Sequence, residues 1–81
     1  MLNNGTVQSQ ALRLDIHNSA TSNFIVENTV AGYSLVAVYR SGQRRYLSDS
    51  STNERTVFPT LDAICVVCAD LNITKYTLSV T

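Results

Sequence analysis

Cys65 and Cys68, in the run "CVVC", are the pair of residues in this chain whose spacing first suggests chemistry. A structural zinc site takes four ligands, usually from a second such pair, and His17 is the one other soft ligand in the sequence. No metal site is expected. A redox pair draws a low thiol pKa from the N-terminus of a helix, whereas these cysteines flank two valines inside an apolar stretch. They read as reduced core thiols. No cysteine or serine near His17 is placed to act as a nucleophile and no acid is placed to orient it, so a catalytic arrangement lacks its partners. Asp15, Glu27, Asp49, Glu54, Asp62 and Asp70 stand singly, and Gly5, Gly32 and Gly42 are too far apart for a phosphate-cradling loop. The chain is expected to be no enzyme, with no catalytic residue, cofactor or small-molecule substrate.

The other chemically distinctive stretch is "YRSGQRRY", Tyr39 to Tyr46, which holds three of the six basic residues and no acid. Arg40, Arg44 and Arg45 surround a tight turn, so their guanidinium groups are expected to project together and meet phosphates, with Tyr39 and Tyr46 beside them. That makes DNA the expected partner. Tyrosine and arginine are equally the residue types that anchor protein interfaces.

These residues need a scaffold to hold them. Residues 1–10 are polar, carry no period and read as a flexible arm ahead of a single domain at 11–81. "ALRLDIH" (11–17) alternates apolar and polar residues, which predicts a half-buried strand. Turn formers follow at 18–23, then a strand at "FIVENT" (24–29) and a turn at 30–32. "YSLVAVYR" (33–40) predicts the central strand, and 43–48 its hairpin partner. A polar loop, 49–54, leads to Pro59 and to Thr60, a fitting N-cap, with Asp62 in the first helical turn. Leu61, Ile64, Cys65, Cys68 and Leu71 fall at helical spacing, and Asn72 suits the stop. "KYTLSV" (75–80) closes as a strand. The expected fold is α+β in the order ββββαβ: an antiparallel sheet of four or five strands with one helix on one face.

If Ser41-Gly42 is a two-residue turn, Tyr39 lies opposite Arg44 and Ala37 opposite Tyr46. The two-residue period then turns Val36, Val38 and Leu47 toward the helix and leaves Tyr33, Leu35, Ala37, Tyr39, Tyr46 and Arg44 outside. Ser-Gly is not the best pair for such a turn, and a bulged loop would shift the register. On the two-residue register, Tyr33, Leu35 and Ala37 form an interface, and a homodimer is expected.

The strand-strand-hairpin order, the basic hairpin and "TVFPTLDA" opening a helix resemble the three-stranded-sheet-plus-helix DNA-binding domains of phage integrase arms and AP2-type factors. The resemblance spans about residues 24–72 and implies a sheet that enters the major groove, in a small DNA-binding accessory protein of the kind mobile elements carry. Composition bears on the same question. With 44% hydrophobic and 15% charged residues the chain belongs among globular domains. Its six basic and six acidic residues give no net charge, which weighs against nucleic acid and toward self-association. No apolar run reaches membrane-spanning length and the N-terminus does not read as a signal peptide, so a cytoplasmic location without membrane attachment is expected.

Overall fold

Alternation in three consecutive segments builds the centre of the molecule. In the computed structural model, which describes residues 5–48 and 54–80, Thr21–Thr29 (β2), Gly32–Tyr39 (β3) and Arg44–Ser48 (β4) form an antiparallel meander. Thr6–Gln8 (β1) lies parallel to β4, and Thr77–Val80 (β5) lies parallel to β2. The sheet is therefore mixed, with strand order β1-β4-β3-β2-β5. Helices Ser9–His17 (α1) and Leu61–Asp70 (α2) make the crossovers that parallel edges require.

The fold is α+β as expected, with two corrections. The sheet is not purely antiparallel, and the described residues form two helices. The predicted first strand, 11–17, is α1: Leu12 is fully buried, Ile16 packs on the core four residues later, and Leu14 between them is 63% exposed. A strand would have put all three on one face, whereas a helix selects only the i, i+4 pair. The expected arm is corrected as well. Residues 1–4 lie outside the described residues, but 6–8 are β1 and Ser9 and Gln10 begin α1. Most of the polar loop also lies outside them.

Both helices end in the same way. Ser19 and Asn72 adopt left-handed φ of 60° and 62°. The N–H of Ala20 donates to the Asp15 carbonyl and that of Ile73 to the Cys68 carbonyl, while Ser19 and Asn72 donate to Ile16 and Ala69. This paired pattern satisfies the last carbonyls of each helix. At its start, α2 has the Thr60 hydroxyl accepting the Ala63 N–H at 3.2 Å.

One core lies between the helices and the sheet. Leu12 from α1 and Ile64 and Cys68 from α2 join Val7, Val26, Leu35, Ala37, Tyr39 and Leu47 from the strands, with Leu71 and Ile73 beyond α2. Burying each large aliphatic side chain here contributes roughly 1.5–3 kcal/mol. The β3–β4 loop sets which β3 residues share a face with those of β4. Tyr39 N–H donates to Gln43 O and Gly42 N–H to Tyr39 O, both at 2.8 Å, leaving 40–42 as a three-residue loop with Gly42 at φ 94°. The register becomes Val36↔Tyr46, Ala37↔Arg45 and Val38↔Arg44, one residue from the two-residue expectation. Leu47 faces the helices and Tyr46 and Arg44 face away, as expected, while the β3 side chains are inverted: Leu35, Ala37 and Tyr39 point to the helices and Val36 and Val38 away.

Candidate interaction surface

The strand's own alternation separates the residues of the basic hairpin. Arg44 and Arg45 are neighbours on a strand, so they point to opposite faces of the sheet. Arg45 is on the helix side, its guanidinium 5.2 Å from the centroid of the Tyr39 ring and donating to Gln43 Oε1 at 3.1 Å. Arg40 folds back onto the α1–β2 connection, where its Nε donates to the Ser19 carbonyl at 2.7 Å and its backbone N–H to Ala20. Arg44 alone of the three is exposed on the open face. The three guanidinium groups do not converge at the hairpin tip.

The tyrosines are divided likewise. Tyr39 is buried and donates to Asp15 Oδ2 at 2.6 Å, fastening β3 to α1. Burial, followed by the Asp15 carboxylate, pushes its hydroxyl far above the ordinary value. Tyr33 is half-buried against the core, held at the backbone by Phe58. Leu35 and Ala37, expected on an outward interface, are 0% and 1% exposed beneath the helices. The interface face of the sequence reading is thus the core face, because the helices cover Leu35 and Ala37 and leave Val36 and Val38 on the other side.

Tyr46 is on that other side, and three residues from three elements meet there. Its hydroxyl donates to Glu27 Oε1 at 2.9 Å, and the Arg55 guanidinium lies 4.7 Å from its ring centroid. Burial and then Glu27 raise the Tyr46 hydroxyl pKa, against a downward pull from Arg55. Ile25, Val36 and Val38 form an aliphatic row next to this cluster, and Arg44 lies opposite Val38. Ser34 and Ser48 on the same face are buried, and among the described residues their hydroxyls have no hydrogen-bond partner. The sequence reading left Glu27, Arg55 and Ile25 out of the candidate site. The alternation of "FIVENT" placed Ile25 and Glu27 together against Phe24 and Val26, and so could have marked both. Arg55 arrives from beyond the polar loop, and no local period announces it.

The cysteines differ from each other. Cys68 is in the core, where burial raises its thiol pKa, while Cys65 is half-buried with its Sγ 3.1 Å from Tyr76 Oη. That hydrogen bond is the main reason the Tyr76 hydroxyl also titrates high. His17 lines a cleft of about 480 Å³ with Arg13, Leu14, Ile16, Leu71 and Asn72, where Arg13 forms an ion pair with Asp70 at 2.9 Å. Among the described residues there is no group of three His, Cys, Asp or Glu that could hold a metal ion, and no helix is long and apolar enough to cross a membrane. Comparison with protein-family models, curated proteins and solved structures finds no match.

Proposed function

We propose that this chain is a non-catalytic protein–protein interaction module whose contact surface is the open face of the sheet. The observation that carries this reading is the placement of both helices on one face. Among the described residues, no helix covers the half-buried Ile25 and Val38, which flank the buried Val36, or the Glu27–Tyr46–Arg55 cluster beside them. A tyrosine held in place by two neighbours, next to aliphatic side chains and two arginines, is an anchor-and-rim composition. The exposed Arg44 and Arg55 favour a partner with an apolar centre and acidic groups at its edge. The dispersal of Arg40, Arg44 and Arg45 removes the concentrated positive field on which phosphate binding would draw.

A photo-crosslinking residue at Val38, compared with one at the exposed Ala69 on α2, tests this in cells that produce the protein. The expected result is a discrete protein adduct from position 38, absent from 69 and weakened by Arg44→Glu. Nuclease-sensitive adducts at 38 would transfer the surface to nucleic acid, which Arg44 and Arg55 would then contact. Equal adducts at both positions, or none at either, would overturn the assignment of this face.

A further inference from the structure

The sheet has two outer strands, β1 and β5. β1 is three residues long and β5 four, and among the described residues nothing pairs with the outer edge of β5. Natural edges carry a charge, a proline or a bulge that stops further pairing. The stretch "YTLSV", Tyr76 to Val80, has no charge and no proline, and Lys75 stands just before it. Leu78 pairs with Val26, which is fully buried, yet Leu78 is 49% exposed. The core therefore ends at this strand with an aliphatic side chain half in water.

We infer that β5 pairs antiparallel with β5 of a second copy across a two-fold axis at Leu78, joining two sheets into one. The choice of a second copy rests on the self-complementarity of this segment. In that register Leu78 meets its own counterpart, Tyr76 meets position 80, and Thr77 meets Ser79. Apolar residues thus oppose apolar ones, and hydroxyls oppose hydroxyls. A slip of one residue would set Leu78 against Thr77 or Ser79 and lose the match. A net charge of zero removes any general repulsion between copies. The hydrogen bond between Cys65 and Tyr76 holds the entry to the strand against α2, so the edge is presented in extended form. Edge pairing of this kind keeps all four helices on one side and makes the two open faces continuous. It does not depend on what those faces bind.

Sedimentation equilibrium tests the association, and disulfide trapping tests its register. Wild type is expected at the mass of two chains, and Leu78→Lys, a charge at an already exposed position, at the mass of one with an unchanged circular dichroism spectrum. In a Cys65→Ser background, Leu78→Cys is expected to oxidise to a linked pair and Ser79→Cys to remain single. Should Leu78→Lys fail to fold, the comparison of the two cysteine variants decides the question. Val38→Arg, which alters the open face, is expected to leave the mass at two chains. A wild-type mass of one chain at high concentration would overturn the inference. So would a Leu78→Lys variant that stays paired, or a Leu78→Cys variant that does not crosslink.

Discussion

Tyr39 makes two attachments with one side chain, a hydrogen bond to Asp15 on α1 and a ring face under Arg45. Removing its hydroxyl in Tyr39→Phe keeps the ring in the core and loses the bond, at an expected cost of about 1–2 kcal/mol in denaturant unfolding. The bond also has a pH signature. Its folded-state pKa is raised above the ordinary 10.0, so its contribution is complete below about pH 10 and is lost as pH climbs from there toward the folded value. Wild type is expected to lose stability in alkali more steeply than Tyr39→Phe, as read by melting temperature between neutral pH and alkali. Tyr46, raised in the same direction, adds a smaller loss of the same sign to both proteins. Ser34 presents the opposite case. Its hydroxyl is buried with no partner among the described residues, so Ser34→Ala removes a desolvated polar group and is expected to raise stability by about 1 kcal/mol. A fall in melting temperature would mean that the hydroxyl holds something in solution.

At the scale of elements, Gly32 shows how tightly the segment before α2 closes on the meander. With φ at 133° and a Cβ position 2.6 Å from the Phe58 carbonyl oxygen, it admits no side chain. Gly32→Ala is expected to destabilise by at least roughly 1–3 kcal/mol, and by more than Gly42→Ala, where the added Cβ meets open space. Chemical denaturation of the two variants side by side checks this order. Elements with a specific local chemistry were legible beforehand: Thr60 as a cap, Asn72 as a stop, and the stripe of Ile64, Cys68 and Leu71 between them. The misreading of 11–17 came from Leu12, Leu14 and Ile16, whose spacing fits a strand, while the pair Leu12 and Ile16 fits a helix as well. Only the exposure of Leu14 separates the two, and exposure is decided by what packs above, not by local sequence. The hairpin failed for a similar reason. Two-residue and three-residue loops around Ser41-Gly42 differ by one residue of register, which inverts the β3 side chains relative to those of β4 and so changes which residues stand beside Tyr46.

For the molecule as a whole, the separation of faces decides where a partner can bind. The main core cluster lies on the helix side, and the opposite side holds an aliphatic row, with Val36 buried at its centre, and polar groups around it, a division that no single segment encodes. The order of the strands carries a different consequence, for the route by which the chain folds. The meander closes through loops of a few residues, but Thr6 must find Tyr46, and Ile25 must find Thr77. Closing loops of about 40 to 50 residues costs roughly 3 kcal/mol more than closing a tight turn. The outer strands are therefore expected to dock last and to open first. Amide exchange should accordingly be faster at Thr6–Gln8 and Thr77–Val80 than at Leu35–Val38, a comparison that native-state exchange measures directly. A chain caught before its outer strands dock presents the unpaired flanks of β2 and β4, each able to accept the strand of a neighbouring copy in place of its own. Crowding during refolding is thus expected to yield strand-exchanged oligomers, and dilution to suppress them.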